Sequence, residues 1–201
     1  RHFPQDSILG EEFGVKEGSS GYRWILDPID GTKTFIRGVP LYGTLIALEK
    51  EGESLIGVMN FPPLQTTISA LRDGGCFRNG EPCHVSQESR LSQAALMMTS
   101  MAEIMDTFGE SAFKAILSQT GMQRTWADCY GYFLVATGMA EASMDAKMKI
   151  WDIAPLIPII QEAGGTISDK TGRISLDSPH VIASNGILHA ELLHLLNSQD
   201  R

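Results

Sequence analysis

Asp27 and Asp30 stand either side of Pro28-Ile29 in the run Trp24-Ile25-Leu26-Asp27-Pro28-Ile29-Asp30-Gly31-Thr32, directly after an apolar stretch that reads as a strand. The proline holds Asp27 extended, and Gly31 permits a sharp departure into the next element. Two carboxylates at such a bend can point into one small volume, where they repel unless a cation neutralises them. Mg²⁺ suits that arrangement, because it takes carboxylate oxygens and keeps waters for a phosphate ligand. Gly31-Thr32-Lys33 then present backbone N–H groups at an expected helix start, which is an anion site. A metal beside an anion cradle outlines phosphoryl chemistry. Asp-Pro and Asp-Gly are also common turn dipeptides, so the run alone is compatible with a plain turn.

Further acidic residues add to that run. Gly10-Glu11-Glu12 ends a stretch expected to pair with the Trp24–Leu26 strand, which places a glutamate near Asp27. Asp152 sits inside the apolar run Ile150-Trp151-Asp152-Ile153. A lone buried carboxylate is costly, so either a metal or a helix-capping role must account for it.

The elements that must position these residues follow from pattern. Ile8 to Glu12, Tyr22 to Leu26, Leu41 to Glu49, Leu55 to Phe61, Thr66 to Leu71 and Cys76-Phe77 read as strands, with Lys16 to Gly21 a polar turn. Lys50-Glu51-Gly52-Glu53 and Arg78-Asn79-Gly80-Glu81 are hairpin signals. Ala94 to Thr99 predicts a buried strand; Ser100 to Gln119, Asp128 to Ala142, Trp151 to Ala163 and Ile187 to Asn197 predict helices; Thr166 to Ser168 and His180 to Ala183 predict strands. Strands first and mixed elements later predict an α+β or layered α/β sandwich. The expectation is one domain over 1–201, with a β-rich metal and phosphate lobe at 1–90 and an α/β substrate lobe at 91–201.

Bulk composition narrows the classes. At 201 residues and 43% hydrophobic the chain can bury one substantial core. A net charge of −8 without a Lys/Arg run argues against a nucleic-acid partner. The longest apolar stretch, around Ile150 to Ile160, is interrupted by Asp152, Pro155 and Pro158 and is too short to cross a bilayer. Cys76, Cys83 and Cys129 show no CxxC spacing and predict reduced thiols in a cytoplasmic protein. No signal peptide is visible; the chain begins with Arg1 and reads as one whose beginning was removed or not recorded. The histidines form no ligand set. His189 and His194 are expected to pack or face solvent. Tyr130, Tyr132 and Phe133 are read as mostly core, and Trp126 as a possible wall of a substrate pocket.

Gly10-Glu11-Glu12, then Asp27-Pro28-Ile29-Asp30-Gly31-Thr32, then Trp151-Asp152 followed by Gly164-Gly165, resembles the inositol monophosphatase family over essentially the whole chain. The resemblance implies an αβαβα sandwich, usually a homodimer, whose N-terminal helix pair this sequence lacks. It also implies a Mg²⁺-dependent phosphomonoesterase with two to three ions per site and no covalent phosphoenzyme. Glu11, Asp27 and the Ile29 carbonyl would hold the first ion; Asp27, Asp30 and Asp152 would hold the second; a third would sit near Glu11. Thr32, with Glu11 or Glu12, would orient the attacking water, and the Gly31 and Thr32 amides would hold phosphate. Metal ions make water a usable nucleophile and neutralise the transferring group.

Within the family, Gly31-Thr32-Lys33-Thr34-Phe35-Ile36, Pro40 to Leu48 and Asp128-Cys129-Tyr130-Gly131-Tyr132 are similar to the histidinol-phosphatase branch. Lys33 is shared with bisphosphate nucleotidases. Asp128 and Asp145 would pair the amine of histidinol, unless Asp128 only caps its helix. Inositol-1-monophosphatase and bisphosphate nucleotidase are the alternatives. A haloacid-dehalogenase-like phosphatase is disfavoured because its two aspartates stand closer in sequence than Asp27 and Asp30. A binding module inactivated by truncation is the remaining rival.

Overall fold

The computed structural model describes residues 2–126 and 128–198. β1 (Ser7–Gly10) turns into β2 (Gly14–Lys16), and β3 (Tyr22–Asp30) leads through a one-turn helix, α1 (Thr32–Phe35), to β4 (Gly43–Lys50). β5 (Glu53–Phe61), β6 (Thr66–Leu71), β7 (Gly75–Arg78) and β8 (Glu81–Pro82) complete an eight-stranded sheet of order β2-β1-β3-β4-β5-β6-β7-β8. Among the described residues only β1 and β3 pair in parallel within it, with Gly10 opposite Leu26, so Glu11 arrives beside Asp27 as the motif predicts. Both predicted hairpins form. Glu51 and Gly52 have φ of 55° and 84°, and Asn79 and Gly80 have φ of 50° and 86°, as the tight two-residue turn requires. The predicted turn at 16–21 begins later than expected, because Gly14–Lys16 pairs as an exposed edge strand.

A second sheet follows: β9 (Ala95–Met98), α2 (Met101–Phe108), α3 (Glu110–Gln119), β10 (Met122–Arg124), α4 (Cys129–Ala136), β11 (Ala142–Ala146), α5 (Ile150–Glu162), β12 (Thr166–Ser168), β13 (His180–Ser184) and α6 (His189–Asn197). Its strand order is β10-β9-β11-β13-β12. Two expectations need correction. The single helix predicted from Ser100 to Gln119 is two helices, since Gly109 at φ 88° and ψ 143° interrupts the spiral. The helix predicted from Asp128 to Ala142 ends at Ala136, and Ala142 opens β11. Gly138 takes φ 71° beyond the helix end, and the Met139 and Ala140 amides both donate back to the Leu134 carbonyl.

The layers run sheet, helices, sheet, helices, four layers of an αβαβα sandwich. α4 and α5 lie between the sheets: Ile25, Leu45, Met59, Phe133, Ile153, Val181 and Ala183 share one core. α2, α3 and α6 cover the far side of the second sheet through Leu96, Met98, Phe113, Ile182 and Leu192. Alternate residues of β9 and β13 serve the two cores, as strand pleating demands. The outer face of the first sheet carries half-buried Trp24, Leu26, Ile46 and Val58, with no described helix over it.

α5 carries Asp152 in its first turn, so its seating matters. Pro155 and Pro158 lie within the helix. Pro158 lacks the N–H that would bond Ala154, and the buried Ser54 hydroxyl donates to that carbonyl instead at 2.6 Å. A Cβ on Gly57 would collide with the Pro155 backbone, so β5 needs glycine for the helix to lie this close.

Candidate active site

β3 delivers the first two carboxylates. Its register with β4 breaks between Asp27, opposite Leu45, and Asp30, opposite Gly43. That irregularity lets both side chains turn the same way despite their odd spacing. Pro28 offers no amide to the ladder, and its carbonyl accepts from the Thr44 hydroxyl at 2.8 Å. Asp27 accepts from the Ile29 amide at 2.9 Å. Asp30 accepts from the Cys129 amide at 2.7 Å and so caps α4 from a distant strand. Asp152 accepts from the Lys149 amide at 2.7 Å, fulfilling the capping expectation with one oxygen.

Carboxylate oxygens of Asp27, Asp30 and Asp152 all lie within 4.8 Å of one another. Burial pushes Asp27 up to about 7, helped by the Glu11 carboxylate against it, and pushes Asp152 up to about 6. Burial and the neighbouring Asp128 raise Asp30 well above the usual range. Such crowding of like charge is unfavourable without a cation, and an all-oxygen donor set suits a hard divalent ion, so these residues fit the implied metal. Glu12 is exposed in the turn after β1.

The residues expected to form the anion cradle follow at once. Gly31 takes φ 81°, and a Cβ there would stand 2.8 Å from Asp128, so only glycine fits. The Thr32 hydroxyl donates to the Ile29 carbonyl at 3.0 Å. As the first amides of α1, those beside Gly31 have no partner within the helix.

A cavity of about 320 Å³ opens from this centre, walled by Asp30, Lys33, Asp128, Tyr132, Asp145 and Asp152, among others. The first amide of α4, that of Cys129, is bonded by Asp30; Asp128 stands at the N-cap position, but its side chain makes no capping bond. Its backbone is at φ 56°, its side chain accepts from the Thr34 hydroxyl at 3.0 Å, and its amide donates to the Thr99 hydroxyl at 3.0 Å. Asp145 projects from β11 and accepts from the Thr99 amide at 2.7 Å. Burial raises both carboxyls, Asp145 to about 7, while the Lys33 charge and the Thr34 bond hold Asp128 down. Trp126 does not line the cavity; it is 43% exposed beside Arg124. His189 packs as expected, between the Ser168 and Ser184 hydroxyls.

Thr99, Tyr132, Glu103 and Lys147 were not singled out by the sequence as site residues. Thr99 stands just past the carboxyl end of β9, a position where α/β ligand sites concentrate and which could have flagged it. Glu103 and Lys147 meet at 3.4 Å on the cavity wall. Nothing in their local sequence marks that pairing.

Residues 1–201 match the sequence profile of the Inositol monophosphatase family. The chain belongs to that family. It is 41% identical over 200 residues to a histidinol-phosphatase of Chlorobaculum parvum, covering 99% of this chain and 77% of that one. It is 36% identical over 203 residues to the histidinol-phosphatase of Mycobacterium tuberculosis, covering 98% and 78%. Among solved structures, extragenic suppressor protein suhB of Bartonella henselae superposes with a TM-score of 0.91 at 28% identity, covering 98% of this chain and 77% of that one. This family member is accordingly a phosphoric monoester hydrolase, folded as the family sandwich. No helix of the described residues is long and apolar enough to cross a membrane.

Proposed function

We propose that the chain is a Mg²⁺-dependent phosphatase that hydrolyses histidinol phosphate to histidinol. The observation that carries this reading is a three-aspartate centre opening onto a cavity that buried Asp145 and half-buried Asp128 also line. The centre handles the phosphate end, and the wall suits a cationic organic end. Histidinol carries an amine cation, and Asp128 and Asp145 are its partners in this reading. Inositol, a neutral polyol, has no charge to match both.

Glu11, Asp27 and the Ile29 carbonyl would hold one Mg²⁺, and Asp27, Asp30 and Asp152 a second, with a third near Glu11. When bound, the metal supplies Lewis-acid activation of water and neutralises phosphate charge. The chain's own residues do the remainder. The Gly31 and Thr32 amides bind the phosphate oxygens, and Lys33 adds positive charge at the cavity. Thr32 and Glu11 orient the attacking water, with Glu12 as the outlying member of that group. Gly31 lets Asp128 approach the cradle, which sets the distance between the phosphate and the amine reader. Residues 1–90 supply most of the metal and phosphate lobe, and 91–201 supply the substrate lobe plus Asp152. A cytoplasmic homodimer completes the proposal.

The test compares phosphate release from histidinol phosphate, inositol 1-phosphate and a 3′,5′-bisphosphate nucleotide in the presence of Mg²⁺. Histidinol phosphate should show the highest kcat/KM. Preference for either of the others would refute the substrate assignment, and a phosphorylated Asp27 would refute the metal–water mechanism.

A further inference from the structure

Among the described residues, two buried polar side-chain atoms lack a hydrogen-bond partner, the hydroxyls of Tyr132 and Ser143. They face different surroundings. Ser143 lies where α4 presses on β11, so close that a Cβ on Gly131 would stand 2.6 Å from its oxygen, and it does not line the cavity. Tyr132 is 1% exposed, yet it lines the cavity. Burial, then the charge of Asp145 and the polar approach of the hydroxyl to that carboxylate, then the charges of Asp30 and Asp152, push its ionisation well above the ordinary range. It is thus a neutral O–H donor that faces Asp145 without closing a hydrogen bond to it. Its ring packs within the central core, which explains a large apolar side chain there but not a hydroxyl. A buried donor left unmade is destabilising, so this one is retained at the expense of the empty protein.

The surroundings define what would satisfy it. Asp145 uses one oxygen on the Thr99 amide and faces the Tyr132 hydroxyl, and Asp128 uses one on the Thr34 hydroxyl. Tyr132 therefore adds a donor beside the acceptors of Asp128 and Asp145 on the cavity lining. An alkylammonium has donors only. A neutral imidazole has one acceptor nitrogen and one N–H, so a group carrying both an amine cation and an imidazole matches these three side chains.

Resting on the phosphatase reading above, we propose that Tyr132 is a specificity-determining residue whose hydroxyl donates a hydrogen bond to an acceptor nitrogen on the organic end of the phosphate monoester. Asp128 and Asp145 take that end's N–H donors. The phosphate end is untouched by this contact, so it discriminates among substrates and does not drive the chemistry.

The experiment uses wild type, Y132F and S143A, with histidinol phosphate and p-nitrophenyl phosphate as substrates. The ratio of the two kcat/KM values should fall about tenfold in Y132F, as expected for loss of one hydrogen bond to substrate, and stay at the wild-type value in S143A. Without ligand, Y132F should melt at or above wild type, since an unpartnered hydroxyl has been removed. The rise in melting temperature that histidinol alone gives wild type should shrink in Y132F. Equal losses on both substrates, or a lower ligand-free melting temperature, would assign the hydroxyl a structural role and overturn the proposal. If wild type releases phosphate from neither substrate, the phosphatase reading fails, and the histidinol-induced shift still decides whether Tyr132 binds that group.

Discussion

Asp30 serves two partners at once, which makes it a sharp probe of the centre. One oxygen caps α4 through the Cys129 amide, and the carboxylate also belongs to the three-aspartate cluster. D30N keeps an oxygen for the Cys129 amide and removes the charge. Its activity should therefore fall on every substrate by roughly two orders of magnitude, given the several kcal/mol attributed to a catalytic metal, while its melting temperature stays near that of wild type. A loss confined to one substrate would show that Asp30 reads the organic end instead. D128A is the complementary case. Because Asp128 makes no capping bond, its removal should spare the helix and lower kcat/KM for histidinol phosphate by about ten- to a hundredfold, the range for a hydrogen bond to a charged group. Equal losses on p-nitrophenyl phosphate would remove Asp128 from substrate recognition.

Asp152 is only as well placed as α5, and α5 rests on two small residues of β5. S54A would leave the Ala154 carbonyl buried and unpartnered, and should destabilise the fold by about 1–3 kcal/mol in chemical denaturation. An unchanged midpoint would mean that another donor reaches that carbonyl. This support was invisible in the sequence, because nothing local links Ser54 to a proline so far along the chain. The same limit explains the other misses. Spacing and apolar context exposed Asp27, Asp30 and Asp152, since a carboxylate inside a hydrophobic run demands a reason. Asn79-Gly80 exposed its hairpin, since the turn geometry is written in those two residues. β11 stayed hidden because Ala-Ser-Met-Asp-Ala has weak strand propensity, and pairing with β9 and β13 overrides it. Tyr132 was read as core, which its burial supports; helical spacing reports which face is covered, not where a hydroxyl at the tip of a ring ends up.

Across the whole molecule, both halves place acidic groups around one cavity, so the fold stores repulsion there. Asp27, Asp30 and Asp152 form the centre, and Asp128 and Asp145 line the wall. Each has its carboxyl raised in the folded state, to about 7 for Asp27 and Asp145 and about 6 for Asp152. Between roughly pH 4 and 7 these carboxyls therefore hold more protons in the folded chain than in the unfolded one. Their contribution to metal-free stability falls as pH rises through that window, opposed by His180 and His189, whose burial lowers their pKa. In EDTA the melting temperature should be higher at pH 5.5 than at pH 8. Mg²⁺ favours the ionised carboxylates, so it should act mainly at the alkaline end. At a hundredfold excess over its dissociation constant it would add about 2.7 kcal/mol, which for a chain of this size is roughly 5–10 °C at pH 8. The shift at pH 5.5 should be clearly smaller, because protons compete for the same oxygens. Calorimetric scans at both pH values, with and without Mg²⁺ at matched ionic strength, read this directly. Equal shifts at the two pH values would place the ion away from the acidic centre, and a metal-free chain more stable at pH 8 would show that the carboxylates are not destabilising one another.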